Sequence, residues 1–314
     1  MTTPTTQQTV APKKRGSEAP ASPSNALDHL DEAARTCALL PNLARIELIR
    51  KGTVIEHSAL TRALDHTDWL LTTPEEHGSH GMLLMGDSGS GKTTFGELVQ
   101  AIYAKDDDRR IVIIDASGAR TMREVYGRVL QSLDGPVSRT MHTPDREMAV
   151  IRILRLLKVR ALVVDEIQSV AEGTPRDQRR VLDGLKYLMN VAKVPLLCLG
   201  APESERSLVT DRHLAQRLKV FRLEPWKVDN DFLDFLLAVL AQLPLRKPSL
   251  LRDERVLEFL IKASSGGLRR IMSIVTSAAV QAVLSGEERV TLRGLMDAVD
   301  VPSRQVREGG VHGG

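Results

Sequence analysis

The run Gly86-Asp87-Ser88-Gly89-Ser90-Gly91-Lys92-Thr93, continued by Thr94, has the spacing G-x-x-x-x-G-K-[ST]. The chemistry that this spacing serves is the holding of phosphate. Glycines let the backbone wrap closely, so that successive N–H groups converge on an anion. Lys92 supplies a cation to β- and γ-phosphates, and the Thr93 hydroxyl can ligate Mg2+. A second group is Ala161-Leu162-Val163-Val164-Asp165-Glu166. A strand ending in two carboxylates can place the first, Asp165, beside the metal. The second, Glu166, can then polarise a water attacking the γ-phosphate. Taken alone, an Asp-Glu pair after an apolar run is equally explained as a helix cap. Its place downstream of the phosphate loop, in the same alternating pattern, points to ATP hydrolysis.

Such residues act only if a sheet presents them together. Gly81–Met85, Ile111–Asp115, Ala161–Asp165 and Pro195–Leu199 read as buried strands, and Val220–Leu223 as a candidate fifth. Phe95–Tyr103, Met122–Leu133, Arg146–Lys158 and Arg176–Ala192 read as the helices between them. Apolar runs alternating with helices predict an α/β fold, with a parallel sheet covered on both faces. The helix opening at the loop would turn its N-terminus to the anion.

The flanks have another texture. Residues 1–25, rich in Thr, Pro, Ser, Gln and Ala, read as a disordered tail whose one charge cluster is Lys13-Lys14-Arg15. Residues 26–80 read as an N-terminal helical segment, with a helix from Ser58 to about Leu71 and a loop marked by Pro74 and Gly78. Residues 81–225 form the expected α/β core. Beyond Glu224-Pro225-Trp226 only helical periodicity remains, in Phe232–Leu243, Val256–Ala263, Leu268–Val283 and Thr291–Val299, so residues 226–300 read as a small helical lid. Residues 301–314 end in a Gly-rich tail. Trp226 is expected to pack the hinge between core and lid.

Composition is that of an ordinary globular protein, 42% hydrophobic and 26% charged, with aromatics at only 3%. A net charge of +3, from 43 basic and 40 acidic residues, neither requires nor excludes nucleic acid. Two distant cysteines, Cys37 and Cys198, argue against a disulfide framework and fit a reducing cytoplasm. Cys198 lies in an apolar strand and reads as a core residue. The chain has no stretch of 18 apolar residues and no apolar secretory segment at its start, so neither membrane insertion nor export is expected.

A phosphate loop, an Asp-Glu strand end and a C-terminal helical lid together resemble the AAA+ ATPases. The resemblance implies that Arg217, in Leu214-Ala215-Gln216-Arg217-Leu218, is an arginine finger completing a neighbouring subunit's site, with Arg212 as the alternative. It implies that Arg269, in Gly266-Gly267-Leu268-Arg269-Arg270, reaches the γ-phosphate from the lid, with Arg270 one position away. It also exposes a departure. After the strand Pro195–Leu199 the family offers a polar side chain to orient water; here Gly200-Ala201-Pro202-Glu203-Ser204 puts alanine there, and Ser204 or a backbone group would have to substitute.

Within that class the chain is similar to the TniB/TnsC transposition regulators. The likeness is carried by Ala44-Arg45-Ile46 through Thr53, Gly86–Thr94, Asp165-Glu166-Ile167-Gln168, Leu199-Gly200-Ala201-Pro202-Glu203 and Phe221-Arg222-Leu223-Glu224-Pro225-Trp226, across about residues 40–300. It implies an ATP- and Mg2+-dependent switch that forms a ring or filament on double-stranded DNA. Such a switch recruits a TniA-like transposase and a TniQ-type targeting partner, and is dismantled by hydrolysis. DNA contact of low sequence preference is expected from Arg120, Arg123, Arg139 and Arg146, which could also be solvated helix faces. Three other readings stay open: an IstB- or helicase-loader-like helper ATPase, a nucleotide-sensing signalling ATPase without DNA, and an interaction protein with a dead site.

Overall fold

The continuous aliphatic runs form five short strands: β1 (Gly81–Gly86), β2 (Ile111–Asp115), β3 (Ala161–Asp165), β4 (Leu196–Gly200) and β5 (Leu218–Leu223). In this computed structural model they make one parallel sheet of order β2-β3-β4-β1-β5. The structure describes residues 27–72, 80–103, 110–209, 211–249, 251 and 253–299. The expected tails, the Lys13–Arg15 cluster and the Pro74–Gly78 loop lie outside the described residues.

Every strand ends at the same edge of a parallel sheet, so the phosphate loop after β1 and the carboxylates closing β3 share that edge. Strand alternation splits the core in two. Leu83, Met85, Val112, Ile114, Leu162, Val164 and Cys198 face one way. They pack against α5 (Met122–Ser132), α6 (Thr143–Leu156) and α7 (Pro175–Val191). Met82, Leu84, Val163, Leu197 and Leu199 face the other way, against α3 (Ser58–Thr72) and α4 (Lys92–Tyr103).

The helix starts follow local chemistry. Thr121 and Glu124 form a capping box at α5, and Thr174 caps α7 ahead of Pro175. Sequence periodicity places most elements within a few residues. The helix α4, expected from Phe95, begins at Lys92, because the glycine loop turns directly into it.

After β5 come α10 (Asn230–Gln242), α11 (Glu254–Ser264), α12 (Leu268–Ser285) and α13 (Leu292–Val299), which share a separate core. That core also contains Ile46, Ile49 and Ile55. The expected N-terminal helical segment 26–80 is therefore divided. α1 (Glu32–Ala38) contacts α10 and α2 (Asn42–Lys51) contacts α12, whereas α3 packs on the sheet. A buried ion pair fixes α2: the Arg45 guanidinium donates to both carboxylate oxygens of Glu288, each at 2.7 Å. The stretch 52–57 crosses from the helical cluster to the core.

Trp226 sits in the connection after β5, stacked on Phe235 with ring centres 4.6 Å apart and edge-on to His57 at 5.1 Å. Its backbone N–H donates to the Gly266 carbonyl at 2.9 Å, which ties the hinge to the start of α12. Among the described residues no helix is long and apolar enough to cross a membrane.

Candidate functional site

The glycine loop between β1 and α4 needs backbone that other residues resist. Gly89 and Gly91 have φ of 78° and 101°, within the left-handed region. Lys92, only 7% exposed, donates to the carbonyls of Gly86 at 2.6 Å and Asp87 at 2.9 Å. Burial pushes its pKa down, the carboxylates of Glu166, Asp165 and Asp87 pull it back up, and Arg269 adds to the lowering. A buried ammonium whose hydrogen bonds go to loop carbonyls suits an anion that can replace them. The Ser90 Oγ in the same loop is buried without a partner.

The β3 end meets this loop directly. Thr93 Oγ1 donates to Asp165 Oδ2 at 2.7 Å, so hydroxyl and carboxylate already converge as a pair of hard oxygen ligands. This donor set fits Mg2+. Glu166 adopts a left-handed backbone, φ 55° and ψ 38°, making a sharp turn from β3 into a 3-10 helix, Ile167–Glu172. That turn brings Gln168 back onto Glu166. The Gln168 amide donates to Glu166 Oε2, and its carbonyl accepts from the Ala201 N–H at 3.0 Å.

The lid closes the third side. The Arg269 N–H donates to the Gly89 carbonyl at 3.1 Å, and its side chain lies over that glycine: a Cβ on Gly89 would stand 2.9 Å from Arg269 Nε. Arg270 instead donates to the Val299 carbonyl at 2.8 Å, inside the lid. Lys92, Thr93, Asp165, Glu166 and Arg269 are thus gathered at one place. Arg217 is not among them. It precedes β5, where its carbonyl accepts from the Gly81 N–H at the start of β1, a full strand length from the loop. Its guanidinium donates to Asn190 Oδ1 at 2.5 Å. Arg212 is exposed at the start of α9 (Arg212–Ala215).

Of the four arginines expected on DNA, one is corrected. Arg146 is buried, and its guanidinium donates to the carbonyls of Arg123 at 3.1 Å and Ser138 at 2.8 Å. It braces the α5–α6 connection, because a buried guanidinium must spend its donors on protein acceptors. Arg120, Arg123 and Arg139 are exposed. Arg120 pairs with Glu172 at 3.4 Å, and Arg123 donates to the carbonyls of Arg139 and Met141.

Beside the loop lies an apolar cavity of about 170 Å³, lined among others by Ile55, Thr94, Phe95, Phe235, Leu268 and Met272. Ser90 and Gly91 of the loop also line it. Thr94 and Leu268 belong to stretches the sequence had marked, but Ile55, Phe95, Phe235 and Met272 carried no motif; they come from the 52–57 stretch, α4 and the lid helices α10 and α12, and only folding brings them together. Cys198 is inert core, its thiol pushed up to about 12 by burial.

Comparisons with known proteins agree with this geometry. The archaeal Cdc6p of Pyrobaculum aerophilum superposes with a TM-score of 0.58 at 17% identity, over 80% of this chain and 69% of that one. The Aeropyrum pernix ORC2 protein, solved in ADPNP–ADP complexes, gives 0.56 at 19%, over 77% and 66%. The Aeropyrum pernix ORC1 protein in complex with DNA gives 0.54 at 19%, over 84% and 68%. These likenesses establish an AAA+ fold. One curated relative, named glutamate-1-semialdehyde 2,1-aminomutase of Laribacter hongkongensis, is 26% identical over 146 residues. That stretch is 44% of this chain and 34% of the relative's length, so the chain spans about a third of it, and the name describes that protein alone. The model of the bacterial TniB protein matches residues 45–228, more than half of the chain. With its phosphate loop, paired carboxylates and lid arginine in one AAA+ frame, the chain belongs to the TniB family.

Proposed function

We propose that this protein is an ATP-dependent regulator of DNA transposition, working in the cytoplasm as a switchable assembly on double-stranded DNA. The observation that carries the reading is the convergence of Lys92, the Thr93–Asp165 pair and Arg269 on one loop. Lys92 and the loop N–H groups hold the phosphates, and the cavity beside Thr94 receives the base. Thr93 and Asp165 would hold Mg2+, which supplies neutralisation of phosphate charge when bound. Glu166 accepts the proton of the attacking water, and Arg269 reports the γ-phosphate to the lid.

Arg217 stands too far from its own loop to serve it, and a half-buried position at the opposite end of the strands, held by Asn190, suits a finger for the adjacent subunit. A site shared between two subunits makes their boundary depend on the γ-phosphate. The assembly forms with ATP and loosens on hydrolysis. Exposed Arg120, Arg123 and Arg139 supply phosphate contacts to DNA, and transposase and a TniQ-type protein join the assembled form. The likeness to the Aeropyrum pernix ORC1 protein, solved in complex with DNA, and the TniB match support DNA association over a signalling role.

Lys92→Ala should lower ATP affinity roughly 10- to 150-fold, the worth of one charge-assisted contact, and abolish ATP-dependent loading on duplex DNA seen by electron microscopy. Equal DNA-bound assembly by that variant with ATP would refute the switch.

A further inference from the structure

The alanine at the end of β4 leaves the hydrolytic site without the polar side chain expected there, and Ser204 does not take its place. Ser204 Oγ is buried without a partner. The group that does touch Glu166 is Gln168, two residues along the chain. Its amide is fixed at both ends: one end meets Glu166 Oε2, the other the Ala201 N–H at 3.0 Å. A backbone N–H can only donate, so the atom facing Ala201 is the carbonyl Oε1, and the NH2 must face the carboxylate.

The surroundings leave little slack. A Cβ on Gly200 would lie 2.2 Å from Ser204 Oγ, 2.7 Å from Ile167 Cγ2 and 2.9 Å from Gln168 Oε1. The left-handed turn at Glu166, φ 55°, sets the approach, in a backbone conformation that side-chain-bearing residues resist. Backbone strain held at this point is offset only if the turn's product, the Glu166–Gln168–Ala201 chain, is maintained.

We propose that Gln168 is the positioning residue of the hydrolytic site. Its NH2 orients the Glu166 carboxylate, and its carbonyl anchors that orientation to the end of β4. This role rests on the ATPase reading given above. Among the described residues the side-chain hydrogen bonds of Gln168 go to Glu166 and Ala201 and not to the loop or the Thr93–Asp165 pair, so nucleotide binding is expected to be independent of it.

The test measures kcat and KM for ATP hydrolysis, with hydrogen exchange at the Ala201 amide, in the full chain. Gln168→Ala should lower kcat about tenfold to a hundredfold, the usual cost of removing such a support, with KM unchanged and faster exchange at Ala201. Gln168→Glu keeps the shape and can still accept from Ala201, so exchange there should stay slow. It cannot donate to Glu166, and kcat should fall as in Gln168→Ala. In a Glu166→Gln background neither change should lower the residual rate further. The role is overturned if either variant keeps kcat within twofold of wild type. It is equally overturned if only Gln168→Ala loses kcat, or if the losses add to that of Glu166→Gln. Wild-type hydrolysis that Lys92→Ala abolishes keeps the ATPase reading standing in those cases; absence of such hydrolysis overturns both.

Discussion

Replacing Glu288 by alanine tests how the N-terminal helices are bound to the lid. The Arg45 side chain is 0% exposed. Its guanidinium makes two bonds of 2.7 Å to Glu288, one of 2.8 Å to Asn42 Oδ1 and one of 3.1 Å to the Pro244 carbonyl. Its Nε already lacks a partner. Glu288→Ala removes the one anion bonded to Arg45 among the described residues and leaves a buried cation on two neutral acceptors, which costs about 3–5 kcal/mol. The double change Arg45→Met with Glu288→Met removes both charges and should stay within about 1 kcal/mol of wild type. The assay is urea unfolding followed by Trp226, stacked in the lid on Phe235, with the other of the two tryptophans, Trp69, replaced by phenylalanine. A loss of that size moves the midpoint by about 1 M or more. A single variant within about 1 kcal/mol of wild type, or a double variant as weak as the single, would refute the unpaired-charge reasoning.

Acid should act at the same place. The Arg45 hydrogen bonds hold the Glu288 carboxyl below its ordinary 4.5, against the opposing effect of burial. A depressed carboxyl stabilises the fold above its unfolded pKa and loses that contribution as pH falls through the folded value. The wild-type lid transition should therefore drop more steeply below about pH 4.5 than that of the double methionine variant, measured by the same fluorescence. Arg217→Ala should leave ATP affinity near wild type yet cut DNA-stimulated hydrolysis by roughly 10³-fold, measured as phosphate release; weakened binding instead would place Arg217 in its own subunit's site. Arg120→Ala and Arg139→Ala should each weaken DNA binding and lower the salt slope by about 1. Arg146→Ala should change thermal stability with that slope unaltered, as titrations at several salt concentrations would show.

Chemistry confined to a short stretch was legible before folding. The phosphate loop is one such stretch, because its glycines, lysine and threonine must follow one another to wrap an anion. Asp165 and Glu166 were readable for the same reason, at the end of an uninterrupted run of valine, leucine and alanine. What resisted reading was whatever depends on contact between distant segments. Periodicity marks Ile46 and Ile49 as apolar but does not say whether they bury against a sheet or a lid, so one N-terminal segment was expected where α2 and α3 serve different bodies. Arg146 looks like any arginine on a charged helix until α5 supplies the carbonyl that buries it.

The same limit explains the water-orienting position. By chain order the substitute for Ala201 should come after β4, so Ser204 is the natural candidate. In space the end of β4 lies against the turn that leaves β3, and the amide that accepts from the Ala201 N–H belongs to Gln168. Parallel strands put chain ends that are far apart in sequence side by side at one edge. At such an edge a missing side chain on one strand can be supplied by its neighbour, and the spacing along either strand carries no record of the exchange. An alanine in place of the expected polar residue therefore leaves a polar group at that corner all the same: the Gln168 amide, bonded to Glu166 at one end and to the end of β4 at the other.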